Sequence, residues 1–299
     1  MKSIVTDTRA VSPIVATLLL IVVVASAASF IAVLVSNFGK ETAEVDIENV
    51  GDAAAIRIEL FGTDLAEPAT DALGTRYEEV NHGVKVSVEG GDTAMGVQAM
   101  GMRLVDMATA DRALELEELE RYPALEPYQI GNAIIVVISN PPQNFTKAVL
   151  RGLYNGTNTT LRAYHCEGDS GIEDRFCEYL SVTIPASNVN TTASFELMLA
   201  SIKDIDGSVG FIPFGYVMSG SDRAYLAGIE NITPANITLE KVTEAVREDN
   251  ETLYPDGLRP PLYYVTNGQP STICDAFITW VCSPEGQLIL REEGYVSLY

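Results

Sequence analysis

The chain has 299 residues, with 41 acidic residues against 19 basic ones and a formal net charge of -22. A surface this anionic is repelled by phosphate backbones, which excludes a nucleic-acid partner. Beyond an N-terminal segment, the length leaves room for one large or two modest domains, each with a proper core.

Lys2 and Arg9 precede an apolar run from Ile14 to Val35, broken only by Thr17, Ser26 and Ser29 and long enough for a bilayer-spanning helix. Two processing sites compete: a secretory cut after Ala25-Ser26-Ala27, or a prepilin-type cut between Ala10 and Val11. The apolar continuation from Ala28 to Val35 favours the second, since a mature secreted chain has little reason to begin with it. A helix apolar on every face must be buried in lipid or against copies of itself. Arg9-Ala10-Val11-Ser12-Pro13-Ile14-Val15 and the aliphatic run after it resemble the class III signal and mature N-terminus of archaeal type IV pilins. The resemblance implies a leader at 1–10 removed by a prepilin peptidase and a hydrophobic helix at 11–38. That helix would sit in the cytoplasmic membrane before assembly and then pack against copies of itself in a filament core. A plain membrane anchor is the alternative. Residues 39–54 read as a linker that turns polar and then alternates at Val45, Ile47 and Val50 before the Gly51-Asp52 turn signal.

From Ala55 onwards, short aliphatic strands alternate with helical stretches. The pattern predicts strands at Ile56 to Phe61, Val84 to Val88, Ala133 to Ser139 and Val209 to Val217, and helices near Glu67 to Asn81, Thr93 to Met102 and Ser194 to Lys203. Interleaving of this kind predicts a parallel, helix-covered α/β sheet with ligands at the strands' carboxyl ends. The run Asp111 to Glu120 reads as a charged amphipathic helix with a solvated face.

Several segments carry a second resemblance. Tyr254-Pro255, the run from Arg259 to Gly268, Ala276 to Gln287, and Gly294-Tyr295-Val296 form one C-terminal signature. Upstream lie Gly62-Thr63-Asp64, Gly90-Gly91-Asp92-Thr93, Val105 to Asp111 and Gly168-Asp169-Ser170-Gly171-Ile172. Over 55–299 these are similar to the substrate-binding proteins of phosphate ABC transporters, which have the type II periplasmic binding protein fold. The fold this implies is two-lobed α/β, with lobe 1 at 55–132 and 212–299, lobe 2 at 139–208, and hinge closure around a ligand.

The resemblance places a ligand cleft at Thr63, Asp64, Asp92, Thr93, Asp106, Asp169, Ser170 and Gly171. It matches Asp106 to the family's carboxylate and Ser170 to one hydroxyl. The family's arginine aligns with Cys166, its threonine with Ile172, and serines with Asp64 and Asp92. Acids in place of anion donors repel a bound dianion by several kcal/mol, while Arg175, one helical turn beyond Ile172, is placed to reach inward. Asp64, Asp92, Asp106 and Asp169 could alternatively offer oxygen ligands to a calcium or magnesium ion, or cap helix N-termini.

Four cysteines allow three pairings. Cys274 and Cys282 fall on one predicted helix ~12 Å apart, too far for a bridge; Cys166 with Cys177 is the preferred pair, and buried free thiols are the alternative. Seven sequons, at Asn144, Asn155, Asn158, Asn190, Asn231, Asn236 and Asn250, suit glycosylation on an exported protein. His82 and His165 are the only histidines. With no nucleophile elbow, zinc spacing or phosphate-binding loop, the expectation is no enzymatic activity and no cofactor.

The sequence thus predicts a subunit of an extracellular, archaeal type IV pilus-like filament whose binding-protein-like outer domain serves surface display or adhesion. The alternative is a membrane-anchored receptor that captures phosphate or another oxyanion for an ABC transporter.

Overall fold

Ile-Arg-Ile-Glu-Leu-Phe-Gly-Thr forms β1 (Ile56–Thr63), and its alternation turns Ile58 and Leu60 into the core while Arg57 stays in solvent. The computed structural model describes residues 55–166, 170–183, 188–218 and 220–299. The leader, the hydrophobic helix and the linker expected at 1–54 lie outside them, as does Asp169. Among the described residues no helix is long and apolar enough to cross a membrane.

The chain continues through α1 (Glu67–Val80), β2 (Val84–Gly91), α2 (Thr93–Gly101), β3 (Met107–Ala110), α3 (Leu116–Arg121) and β4 (Leu125–Asn132). Pro68 in the first turn of α1 uses a position that needs no N–H donor, and α1 buries Ala69, Thr70, Leu73 and Tyr77. Close to the C-terminus come β11 (Pro261–Asn267), α8 (Thr272–Val281) and α9 (Pro284–Glu292). They complete the first sheet, whose order is β2-β1-β3-β11-β4. Tyr77, Phe277 and Trp280 stack between α1 and α8.

The second sheet is built from β5 (Ile135–Asn140), β7 (Arg162–Cys166), β8 (Val189–Thr192) and β9 (Ser208–Pro213), in the order β5-β9-β7-β8. Every residue of β5 from Ile135 to Ser139 is buried, as expected of a strand covered on both faces. Helices α4 (Lys147–Tyr154), α5 (Ser170–Leu180) and α6 (Phe195–Asp204) cover it. Phe176 of α5 stacks on Phe211 of β9 at 4.0 Å between ring centroids. The chain crosses between the two sheets at Ala133–Ile134, where Ile134 O accepts from Phe214 N–H, and returns at Pro260, whose carbonyl accepts from Ala133 N–H. The two-lobed α/β architecture expected from the sequence is present.

Four expectations are corrected. The sheets are mixed rather than parallel: β11 runs antiparallel to β3 and β4, and β5 antiparallel to β9, because these strands carry the chain back between lobes. The segment after β9, expected with the first lobe, is hydrogen-bonded to the second. There β10 (Gly228–Ile229) pairs with β6 (Asn144–Phe145), Ala227 N–H donates to Val137 O, and the buried Tyr254 hydroxyl donates to Ile135 O at 2.6 Å. Of the run Asp111 to Glu120 only Leu116–Arg121 is α-helical, and Asp111 is buried rather than solvated. No disulfide joins Cys166 to Cys177. Cys166 closes β7 and faces a cavity between the sheets, whereas Cys177 lies on α5 beside the Tyr154 phenol, so the two thiols occupy different surroundings.

Candidate functional site

The carboxyl ends of β1 and β3 and the start of α2 meet the first turn of α5 in the space between the two sheets. Thr63 ends β1, fully buried, and its hydroxyl accepts from Leu65 N–H at 3.3 Å, capping the short 3-10 turn Asp64–Ala66. Asp92 caps α2 by accepting from Met95 N–H at 2.8 Å, which leaves Thr93 as the first helical residue. The Thr93 hydroxyl donates to Asp111 Oδ1 at 2.6 Å and accepts from the Asp111 N–H at 3.1 Å. Asp111 therefore sits at the floor of the cleft just past β3, with its side chain only 4% exposed.

From the opposite lobe, α5 brings Gly171 and Arg175. A Cβ on Gly171 would lie 2.6 Å from Thr63 Oγ1 and 3.6 Å from Asp111 Oδ2, so glycine is what lets the first turn of α5 approach this closely. Arg175 Nε lies 3.6 Å from Asp111 Oδ2, and Nη1 is 2.7 Å from Glu178 Oε2. Nε itself is buried without a hydrogen-bond partner among the described residues, as is the Thr109 hydroxyl on β3. Backbone N–H groups at a helix start, a guanidinium and a buried carboxylate acceptor together suit an anion that carries a proton.

Of the residues expected to line a cleft, Thr63, Thr93 and Gly171 come together here, whereas Asp106 does not. Asp106 precedes β3; it is exposed and accepts from Glu59 N–H at 2.9 Å, at the strand end away from the cleft. Asp111 follows β3, and the rule that ligands bind at strand carboxyl ends is the signal that singles it out. Ser170 opens α5. Of the acids expected as an alternative cation site, Asp92 caps α2, Asp106 is remote from the cleft and Asp169 lies outside the described residues, among which no metal-holding group of acids, histidines or cysteines occurs.

Two cavities of opposite character open between the sheets and share no lining residue. One, of about 460 Å³, carries Asp64, Glu67, Glu89 and Glu196 beside Cys166, Phe195 and Tyr216. It adjoins an apolar chamber of about 290 Å³ lined by Leu65, Ile134, Ile172 and Phe214. Partial burial, then Asp71 and Glu89, push the Glu67 carboxyl above its ordinary range. The other, of about 440 Å³, is lined by Asp111, Arg112, Lys147, Arg175 and Tyr179 together with Glu178, Glu251 and Asp256. Arg112 is already gripped by Glu118 at 2.8 Å. Lys147 Nζ stands 4.5 Å over the Tyr179 ring, and burial, then Glu230 and Glu251, push the Tyr179 phenol up to about 12. Four carboxylates and no cation line the first cavity among the described residues, whereas the second mixes three cations with four carboxylates.

Residues 48–285 match the family description "PBP superfamily domain". Protein SphX of Synechococcus elongatus is 22% identical over 263 residues, covering 79% of this chain and 76% of that protein. Among solved structures, a protein from Clostridium perfringens described as a phosphate ABC transporter substrate-binding protein, with bound phosphate, superimposes with a TM-score of 0.66. It is 18% identical, over 81% of this chain and 100% of that one. An ABC-type phosphate transport receptor from Vibrio cholerae gives a TM-score of 0.65 at 19% identity, over 80% and 99%. At these identities the structural likeness establishes the two-lobed fold.

Proposed function

The chain belongs to the PBP superfamily, and from that premise we propose that its outer domain is a solute receptor whose cleft holds a small, proton-bearing oxyanion such as monohydrogen phosphate. The observation that carries this reading is Asp111: a buried carboxylate bonded to Thr93 and 3.6 Å from Arg175, at the end of a central strand. A carboxylate there accepts the anion's proton, Thr63 and the first N–H groups of α5 offer donors, and Arg175 supplies the countercharge. Of the acids that argue against an anion in the sequence, Asp64 lines the other cavity and Asp92 is engaged in capping α2. The role is binding rather than catalysis, and the partner that would use it is an ABC transporter permease. Titration calorimetry of the full chain with phosphate and with sulfate tests this. Phosphate should bind and sulfate, which carries no proton at neutral pH, should not; equal affinities, or no binding of either, would overturn it.

The motif Arg9 to Val15 and the apolar run after it favour a second reading of how the domain is displayed. Here the helix at 11–38 assembles with copies of itself in an archaeal pilus-like filament, and the receptor-like domain is its surface decoration. Either way the domain works outside the cytoplasmic membrane, and the sequons there are candidate glycan acceptors. N-terminal sequencing of the exported protein separates them from a cleaved secretory form: a start at Val11 keeps the helix, and a start at Ala28 removes it.

A further inference from the structure

Resting on the anion reading above, we infer that the solute is a zwitterion, with its anionic head at Asp111 and Arg175 and a cationic tail further along the 440 Å³ cavity that both residues line. The volume carries the first step. About 440 Å³ falls in the ~300–1,000 Å³ range of pockets for organic ligands, and a bare tetrahedral oxyanion would leave most of it to water.

The order of charges along the cavity carries the second. Its buried end holds Asp111 and the guanidinium of Arg175, whose Nε is 3.6 Å from Asp111 Oδ2 and has no hydrogen-bond partner among the described residues. Its open end holds Glu251 and Asp256, the latter 65% exposed and 3.3 Å from Arg259. Glu251 has no ion-pair partner among the described residues, and its charge is felt by the phenol of Tyr179, which lines the same cavity. Arg112 is neutralised by Glu118, and Lys147 rests on the Tyr179 ring. The uncommitted donor is thus inside and the uncommitted carboxylate outside. A solute that matches both carries an anion at one end and an ammonium at the other, with the Tyr179 ring and Pro255, Pro260 and Pro261 against its short apolar link.

The test compares phosphoethanolamine, ethyl phosphate and inorganic phosphate by calorimetry on the full chain, at pH 6. Near that pH a phosphate monoester, with its second pKa of about 6, still offers Asp111 a proton. Phosphoethanolamine should bind at least about tenfold tighter than ethyl phosphate. Glu251→Gln, an exposed change that leaves the fold alone, should erase that difference while leaving ethyl phosphate unchanged. Equal binding of the two esters by the unmodified chain, or an ester difference that survives Glu251→Gln, would overturn the inference. Binding of inorganic phosphate alone would sink the zwitterion and leave the anion reading standing; binding of none of the three would sink both.

Discussion

Arg175 Nε lies 3.6 Å from Asp111 Oδ2, and the two residues come from opposite lobes: Arg175 from the second turn of α5, Asp111 from the end of β3. The pair links the two lobes, and in the receptor reading proposed above the same guanidinium would serve both closure and charge neutralisation. Removing the charge of Asp111 while keeping its shape separates these roles. In Asp111→Asn, phosphate loses its proton acceptor and sulfate loses a repelling carboxylate, so the preference for phosphate over sulfate should fall by about tenfold or more. Competition calorimetry at constant ionic strength reads the ratio directly.

Gly171→Ala probes the approach of the lobes. The added methyl would sit 2.6 Å from Thr63 Oγ1, so the first turn of α5 must back away. Alanine suits a helix better than glycine by roughly 0.5–1 kcal/mol, so thermal stability should hold or rise. Anion affinity should drop by about tenfold or more, and small-angle scattering should report a more open particle with phosphate present.

Glu67 gives a pH signature. Its carboxyl is held above the ordinary value of 4.5 by partial burial, then by Asp71 and Glu89, so the folded chain holds this proton more tightly than the unfolded chain does. The stability it contributes is fully present below about pH 4.5 and is lost as pH rises through the folded value. Glu67→Gln removes that loss. With the group partly exposed and screened by solvent, the gain at pH 7 should be roughly 0.5 kcal/mol, with little difference at pH 4. Urea denaturation at both pH values checks the sign.

Tyr254 ties the segment after β9 to the second sheet through its hydroxyl on Ile135 O, at 2.6 Å and fully buried. Tyr254→Phe leaves that carbonyl without this donor at a cost of about 1–2 kcal/mol. The change should appear as a lower urea midpoint with an unchanged slope.

Much of this arrangement was legible in the residues. Periodicity located β1, α1, β2 and α2 to within three residues, and Asp92 caps α2 as the preference of aspartate for helix N-caps suggests. The carboxylate was harder, since Val-Asp-Met-Ala-Thr-Ala-Asp has an acid at both ends of one short strand. Five residue steps at ~3.3 Å each put ~17 Å between the two acids, so a shift in alignment moves the site from the cleft to the opposite end of the strand. The placement of 218–260 on the second lobe rests on long-range pairings such as Gly228 with Asn144, which no local pattern announces. Arg175 could be placed one turn from Ile172 by helix geometry, but only the closeness of Gly171 to Thr63 explains why it reaches Asp111.

The most direct test of the receptor reading is calorimetric titration of phosphate into the full chain and its Arg175→Ala variant, side by side at low salt. The unmodified chain should bind one phosphate, and the variant should bind at least about a hundredfold more weakly, the scale expected when a close charge partner is removed. Phosphate affinity that is equal in the two proteins, or absent from the unmodified chain, would contradict it.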